Sequence, residues 1–507
     1  MTRRWLALGV LSLAVLVIGV DGTVLAVATP LITKDLESTA TQVLWIGDIY
    51  SFVLASLLVT MGSLGDRIGH KKLLLSGATA FAAISVVTAY ASTGELLIGA
   101  RALLGVAGAT LAPSTLALIR GLFLQPRDRS MAVGVWASMF SAGAALGPVV
   151  GGLLLEHFWW GSVFLINVPV MVLLLVGGIV LLREQRNPRP GPWDLPSVGL
   201  SLVGVLGFVY AVKEGAAHGV RVDIAVIGVG GVAAFTLFVR RQLRLPAPLV
   251  DVRLFGNRAF SGVVAANLLS VLGLSGLVFF LSQFFQLVQG YSPMRAGLAE
   301  LPAAVAATVF GVLAGFAVRY WSRRAVLTTG LVLVGVAMAS LTMITPSTAY
   351  LRLGFALFVV GVGLGLAFTA ASDVIMGSVM PQRAGAAAAV SETAYELGMA
   401  LGIAILGSII TAVYRGLVIP TGTPDAVASH ARESLAAAVD ASGKLPADNA
   451  DVLLTAAKDA FTDGLAIAVG VGSALLLASA LGVWLLLKPR PTGPTDQRGE
   501  VECSARS

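Results

Sequence analysis

Several ionisable residues lie inside long apolar stretches of this sequence, where a charge is costly. Four of them are Asp21, Arg101, Glu392 and Glu396. An ionisable group inside a membrane-spanning helix usually faces a partner, a cavity or a path for protons. Glu392 and Glu396 are four residues apart and share one helical face, where two carboxylates at low dielectric would compete for protons. These residues predict reversible binding of protons and cations. A polar face that lines a water-filled cavity without proton traffic is the alternative for the glutamate pair.

Asp21 and Arg101 can form a buried ion pair if the first and fourth apolar stretches pack together. A buried arginine needs an anionic partner, and Asp21 is the nearest candidate. With Arg101 close by, Asp21 stays ionised, and when Arg101 moves away Asp21 can take up a proton. Purely structural roles stay open for both residues, with Asp21 accepting hydrogen bonds from a neighbouring helix.

Asp48 and Tyr50 lie in the second apolar stretch and are candidates for contact with a substrate. Tyr50 offers a stacking surface for a flat cation. Asp48 is about a turn and a half from the outer end of its helix, so a solvated aspartate is the alternative. Glu300 and Asp373 stand near the ends of their stretches, and we expect both at the membrane interface.

The composition requires membrane-spanning helices to position these residues. The chain has 507 residues, of which 57% are hydrophobic and 12% are charged, whereas a soluble domain has about 25% charged residues. At about 20 residues per span, the sequence holds fourteen apolar helices, the first at Trp5–Leu31, the second at Val43–Leu64 and the last at Gly464–Leu487. We therefore predict an all-α membrane protein.

A weak internal repeat predicts how the helices are grouped. Gly143 and Gly147 in the fifth span are echoed by Gly398 and Gly402 in the thirteenth, and parallel repeats of this kind are common in transporters. We predict four parts: a six-helix bundle at 1–190, a linking two-helix hairpin at 191–245, a second six-helix bundle at 246–490 and a cytoplasmic tail at 491–507.

The longest external loop is predicted at 415–463. Within it, Ala426–Val439 and Asn449–Phe461 are either short amphipathic helices that cap the outer face or parts of a mobile linker.

Charge and cysteine content exclude several classes of protein. The net charge is +7, but the basic residues fall mainly in alternate short loops and at the two chain ends, which predicts cytoplasmic termini rather than nucleic-acid binding. The single cysteine, Cys503, excludes an intramolecular disulfide. The sequence shows no metal-ligand cluster, no phosphate-binding loop and no catalytic constellation. We therefore expect no enzyme activity, no metal and no cofactor.

Two glycine-rich patterns are expected at helix ends and helix contacts. The first runs Gly62-Ser-Leu-Gly65-Asp66-Arg67-Ile-Gly69-His-Lys71-Lys72 between the second and third spans. Gly65 and Gly69 predict a tight turn, and Asp66 can accept hydrogen bonds from a helix N-terminus or pair with an arginine. The second pattern lies in the fifth span and predicts close helix packing; it consists of Gly143, Gly147, Pro148, Gly151 and Gly152.

The order of these motifs resembles that of the major facilitator superfamily of transporters. The first glycine pattern is similar to the family's loop between helices two and three. Asp21-Gly-Thr-Val with Pro30 resembles the first-helix motif of the fourteen-helix drug:proton antiporters, and Arg101 stands in the place of the fourth-helix arginine. The pattern from Gly143 to Gly152 resembles the fifth-helix signature of antiporters.

The resemblance implies a role for each candidate residue. Proton coupling is assigned to Asp21, Arg101, Glu392 and Glu396. Substrate binding is assigned to Asp21, Asp48, Tyr50, Glu392 and Glu396. The first glycine pattern is assigned a conformational role, through Gly62, Gly65, Asp66, Arg67, Gly69 and Lys71.

We therefore expect a proton-driven exporter of lipophilic cationic drugs or antiseptics that works by alternating access. It would be a monomer in a bacterial inner membrane, with lipophilic cations, protons and the lipid bilayer as its partners, no nucleic acid, and the proton gradient as its energy source. A narrow exporter of one antibiotic with the same fold is one alternative. A membrane sensor or channel without active transport is another.

Overall fold

A computed structural model describes residues 2–186, 194–219, 221–246, 248, 252–377, 384–419, 423–443 and 445–487. The described residues form helices and connecting turns, with no β-strand among them. The first seven helices are α1 (Thr2–Asp35), α2 (Ala40–Ile68), α3 (His70–Ala89), α4 (Gly94–Leu122), α5 (Pro126–His157), α6 (Ser162–Leu165) and α7 (Asn167–Leu181). The predicted tail at 491–507, with Cys503, lies outside the described residues.

The remaining helices follow in chain order. They are α8 (Leu195–His218), α9 (Val222–Arg244), a 3₁₀ turn (Val252–Gly256), α10 (Arg258–Gln283), a π-helical segment (Phe284–Val288), α11 (Pro293–Tyr320), α12 (Arg323–Leu341), α13 (Tyr350–Gly377), α14 (Ala384–Tyr414), α15 (Asp425–Ala431), α16 (Leu435–Ser442) and α17 (Ala447–Leu486).

Fourteen helices in the described part of the chain are long and apolar enough to cross a membrane, with α6 and α7 counted as one span. The predicted number and the all-α fold are confirmed. The predicted ends are less accurate, because polar residues extend several helices beyond their apolar part. The second span was predicted at Val43–Leu64, but Thr39 and Gln42 form a capping box that starts α2 at Ala40.

Two sets of contacts organise the bundle. α1 packs on α5, and α2 on α4; α11 packs on α13, and α10 on α14. The two sets meet where α5 contacts α11 and where α2 contacts α14. The hairpin of α8 and α9 lies beside this second contact, because α8 touches both α2 and α14. Phe52, Val209, Ala400 and Ala404 form the buried apolar core of that three-helix contact.

We call the side of the bundle where α1 begins the N-terminal face, and the side where α1 ends the opposite face. The opposite face is closed by contact between α5 and α11. A methyl group on Gly297 would collide with the carbonyl oxygen of Pro148, and one on Gly152 would lie 2.6 Å from the Cα of Met294. The helices therefore approach here as closely as glycine allows.

The predicted loop at 415–463 is largely helical in its described residues. Ala426–Val439, expected as one stretch, forms parts of the two short helices α15 and α16. Asn449–Phe461, expected as a separate helix or linker, is the beginning of α17 and continues into the last span. Tyr414 at the end of α14 donates its hydroxyl to the carbonyl of Ala431 at 3.0 Å, which fixes α15 over the opposite face.

Candidate functional site

Asp21 and Arg101 form a buried ion pair between α1 and α4. The distance from Arg101 Nη1 to Asp21 Oδ2 is 2.6 Å, and the two side chains are 1% and 0% exposed. The pairing predicted from the sequence is therefore present. At low dielectric such a pair requires good geometry and further hydrogen bonds, because two charges have left water.

Neighbouring groups supply those bonds. Asn167, at the start of α7, donates from Nδ2 to Asp21 Oδ1 at 3.5 Å and to Ser85 Oγ at 3.3 Å. Arg101 Nε donates to the carbonyl of Ile46 at 3.3 Å. The guanidinium also lies over the ring of Tyr50, 4.8 Å from the ring centre, where a cation is attracted to the aromatic face.

A small internal cavity lies beside this pair, between the two halves of the chain. Its volume is about 10 Å³, roughly the space that one water molecule needs. Tyr50 and Ser51 of α2 and Glu396 of α14 line it, with Ile18, Gly19, Gly22, Thr23, Phe140, Ala144, Tyr395 and Met399. Pockets for drug-sized ligands have roughly 300–1,000 Å³. A substrate of that size requires the helices to move apart.

Glu396 brings a carboxylate into the wall of the cavity. The residue is 3% exposed, and its Oε2 atom is buried with no hydrogen-bond partner among the described residues. Glu392, one turn closer to the start of α14, is partly exposed and is not part of the cavity lining. Both acids lie on α14, four residues apart, but only Glu396 lines the cavity.

Asp48 lies away from the cavity. It is fully buried, so the solvated aspartate considered from the sequence is wrong. Asp48 is four residues from Phe52 and three from Trp45, and so shares with them the face of α2 that meets α8 and α14. Tyr50, by contrast, faces the cavity and Arg101.

The Tyr50 hydroxyl lies towards α4, 3.0 Å from where a methyl group on Gly108 would be. Its oxygen is buried and has no hydrogen-bond partner among the described residues.

The glycines of α5 allow close contact with α1 and α11. A methyl group on Gly143 would collide with the carbonyl of Leu16, and one on Gly147 would collide with Thr23. The Thr23 hydroxyl donates to the carbonyl of Ala144 at 3.0 Å. Gly151 lies against Val24 in the same way. The close packing predicted for this motif is therefore present.

The structure corrects the predicted loop around Gly62–Lys72. α2 continues through Gly62 and Gly65 to Ile68, and α3 starts at His70. Only Gly69 breaks the helices, with φ +107°. The tight turn expected at Gly65 is wrong, because Gly65 is helical and leaves room for the His70 ring.

Asp66 and Arg67 lie in the last turn of α2. Asp66 Oδ1 lies 3.1 Å from Nε2 of His70, rather than at a helix N-terminus.

Glu184 lies at the N-terminus of α3. Its carboxylate accepts hydrogen bonds from the backbone amides of Lys71 at 2.9 Å and Lys72 at 3.1 Å. Negative charge is favourable at this end of a helix. In return Lys71 Nζ donates to the carbonyls of Ile179 at 3.0 Å and Leu182 at 2.8 Å, at the end of α7.

Several functional residues were missed from the sequence. Asn167, Ser51 and Tyr395 contact the ion pair or the cavity, but each is a neutral polar residue in an apolar segment, a signal shared with many structural positions. Glu184 follows a span by three residues, and nothing in its local pattern indicates contact with α3.

Asp373, expected at the interface, pairs with Arg323 at 2.9 Å.

The hairpin contains a further polar cluster that the sequence did not indicate. Asp194 precedes α8 and accepts hydrogen bonds from Arg241 at 2.8 Å and from the backbone amide and hydroxyl of Ser197. Gln242 donates to the Ser197 hydroxyl at 2.7 Å. Burial raises the pKa of Asp194, but the hydrogen bonds from Arg241 and Ser197 outweigh it and hold that pKa below its ordinary value.

The sequence of the chain is similar to those of known proteins. Residues 11–403 match the model of the Major Facilitator Superfamily. The chain is 46% identical over 480 residues to the multidrug efflux pump LfrA of Mycolicibacterium smegmatis, covering 94% of this chain and 95% of the relative. It is 36% identical over 492 residues to the methyl viologen resistance protein SmvA of Salmonella typhimurium, covering 96% and 99% of the two chains.

A solved structure shares the fold. It is a bacterial homologue of the human lysosomal transporter Spinster in an inward-facing, unoccupied conformation. Its TM-score to this chain is 0.68 at 16% identity, and the match covers 96% of this chain and 99% of the other. At this identity the likeness concerns the fold alone.

Proposed function

Because the chain belongs to the Major Facilitator Superfamily, and is therefore a multi-pass membrane transporter rather than an enzyme, we propose that it expels lipophilic cations in exchange for protons. The observation that carries this proposal is the buried pair of Asp21 and Arg101, next to a cavity whose lining includes Glu396 but neither member of the pair. Acids in these positions can bind either a proton or a cation, which is the chemistry that an antiporter needs.

The cationic substrate class is supported by the cavity and by the relatives. Glu396 supplies negative charge, and Tyr50 and Tyr395 supply aromatic surface, a combination that attracts organic cations. The relative named for resistance to methyl viologen is named for a flat organic dication. The relative named a multidrug efflux pump supports breadth rather than a single substrate.

The proposed cycle is alternating access driven by the proton gradient. Protonation of Asp21 removes the negative partner of Arg101 and weakens the hold of α1 on α4. Deprotonation ionises Asp21 again, and its carboxylate then binds either Arg101 or a cation. Because the proton and the cation require the same ionised acids, the two occupy the site in turn. Glu392 and Glu396 carry protons in the same scheme, and no cofactor is required.

We place both termini in the cytoplasm of a bacterial cell, because most basic residues fall on that side of the membrane. The opposite face is then external, and its close contact between α5 and α11 closes the outer entrance. We further propose that the bundles 1–190 and 246–490 rock against each other, with 191–245 between them, in a protein that acts as a monomer.

Efflux of ethidium from cells that express the protein tests this function. We expect efflux that is lost when a protonophore collapses the gradient, and lost in Asp21→Asn at equal protein level. Asp223→Asn, an exposed acid at the start of α9, is the matched control and retains efflux. Efflux that is insensitive to the protonophore contradicts proton coupling. Absence of efflux for ethidium and other cations contradicts the substrate class and favours the narrow antibiotic exporter.

A further inference from the structure

A polar cluster outside the central site connects the two halves of the chain at the closed opposite face. Gln286, in the π-helical segment, donates from Nε2 to the carbonyl of Val27 on α1 at 2.9 Å and to Ser282 Oγ at 3.3 Å. Ser282 is fully buried, and its hydroxyl lies near the Glu300 carboxyl on α11. A row of polar groups therefore runs from α1 to Glu300.

Two local features bring Gln286 to Val27. α10 widens into a π-helix at Phe284–Val288, a distortion that is frequent at functional sites. Pro30, inside α1, has no amide hydrogen, so the carbonyl of Ala26 loses its helical donor and the turn that contains Val27 is distorted. The carbonyl of Val27 lies in that turn and accepts a side chain from the other half of the protein.

Glu300 has a buried carboxyl oxygen without a counter-charge. Its Oε1 atom is buried and has no hydrogen-bond partner among the described residues, although the residue as a whole is partly exposed. None of the ion pairs found in the described part of the chain involves Glu300. A buried carboxylate without a cation is costly, so this environment suits the protonated acid.

Charged and titratable groups near this end of α11 lie at helix ends. α10 and the π-helical segment carry none from Ala259 to Val288. Arg295 Cζ lies over the Tyr291 ring, 4.1 Å from its centre, and Tyr350 donates its hydroxyl to the carbonyl of Ala299 at 3.3 Å. On the helices that pack against α11, the other charged or titratable residues near this end are Arg352 of α13, Glu156 and His157 of α5, and Lys34 and Asp35 of α1.

We infer that Glu300 is a further proton-binding residue, neutral while the opposite face is closed and ionised when that face opens to water. The inference rests on the proposed transport function and adds a proton site at its outer gate. The closed state holds one more proton than the open state. Raising the pH therefore shifts the equilibrium constant towards the open state, by up to about tenfold per pH unit for one proton. This dependence begins above the ordinary glutamate pKa of about 4.3.

Accessibility of a cysteine in the closed face tests the inference without any substrate. Leu44 of α2 is 4% exposed and lies against Gly407 of α14, on the second contact between the halves. Leu44→Cys in a Cys503→Ser background gives the full chain one cysteine. Its labelling by a membrane-impermeant maleimide is measured in proteoliposomes at pH 6 and pH 8 without a gradient. A thiol reacts faster with maleimide as the pH rises, whatever its accessibility. The labelling rate of Val418→Cys, at an exposed position of the same face, measures this effect and is used to correct the rate of Leu44→Cys.

We expect the corrected labelling rate of Leu44→Cys to rise between pH 6 and pH 8. Glu300→Gln keeps the shape of the side chain, and we expect it to keep the rate low and reduce this rise at least about tenfold. Glu156→Gln, an exposed acid on the same face, retains the rise. Gln286→Leu breaks the contact with Val27 and should raise the rate at pH 6.

A rise in Glu300→Gln equal to that of the parent overturns the inference, as does rapid labelling of this variant at pH 6. The ethidium efflux assay tests the proposed transport function separately from this inference. If ethidium efflux is absent while labelling depends on Glu300, the transport proposal fails and the proton-linked gate stands.

Discussion

Arg101 Nη1 lies 2.6 Å from Asp21 Oδ2, and both side chains are almost completely shielded from solvent. Removing one member of such a pair leaves the other charged and buried, which costs about 3–5 kcal/mol. We therefore expect Asp21→Asn and Arg101→Gln each to abolish ethidium efflux and to lower the melting temperature of the purified protein.

The double variant separates stability from transport. In Asp21→Asn with Arg101→Gln, no uncompensated charge remains, so we expect most of the lost thermal stability to return while efflux stays absent. Melting temperature and efflux of the three variants are measured side by side. A double variant that is as unstable as the single ones contradicts the ion pair as the cause, and one that transports normally contradicts its role in coupling.

The two glutamates of α14 are expected to differ in importance. Glu396 lines the cavity with an unpartnered carboxylate oxygen, whereas Glu392 is partly exposed and outside the lining. We expect Glu396→Gln to weaken binding of a fluorescent cation at least about tenfold, since a charge contact worth about 1.4 kcal/mol corresponds to that factor. Glu392→Gln serves as the matched variant and should have a smaller effect. Equal losses would contradict a special role for the acid that lines the cavity.

The glycines of α5 provide a test on one helix. A side chain at Gly147 collides with Thr23 of α1, whereas Gly134 has open space around it. We expect Gly147→Val to prevent the close contact and to abolish efflux, with reduced thermal stability. Gly134→Val should retain both efflux and melting temperature. Similar behaviour of the two variants would show that helix propensity, rather than the α1–α5 contact, determines the result.

Much of this fold could be predicted from the sequence, because span number depends on long apolar stretches that do not need a partner to be recognised. The pairing of Asp21 with Arg101 was also predictable, since a buried arginine requires an anion. The contacts made by neutral polar residues could not be predicted from the sequence. Asn167 reaches Asp21 from 146 residues away, and no local pattern indicates which helices meet.

The region around Gly69 shows the same limit. The glycine pattern marked a helix break correctly, at Gly69, but did not indicate that Glu184 lies at the start of α3. Glu184 reaches this position through the path of the chain after α7, which no local pattern encodes. The burial of the Glu300 carboxyl oxygen was missed for a related reason, since distance from a helix end does not reveal what packs over it.

The cluster at the start of the hairpin gives a prediction that depends on pH. The pKa of Asp194 is held below its ordinary value, with burial opposing and the bonds from Arg241 and Ser197 prevailing. A lowered pKa contributes stability above the unfolded-state value of about 3.9 and loses it as the pH falls through the folded value. We expect Asp194→Asn to lower the melting temperature at pH 7, and the difference from the parent to shrink below about pH 4.

Scanning calorimetry or dye-based melting at pH 7, 5 and 3.5 measures this difference. Asp223→Asn, whose carboxylate pairs with Arg221 on an exposed surface, should show little change at any of these values. A deficit in Asp194→Asn that persists undiminished at pH 3.5 would show that packing around the side chain, and not its charge, stabilises the joint between α8 and α9.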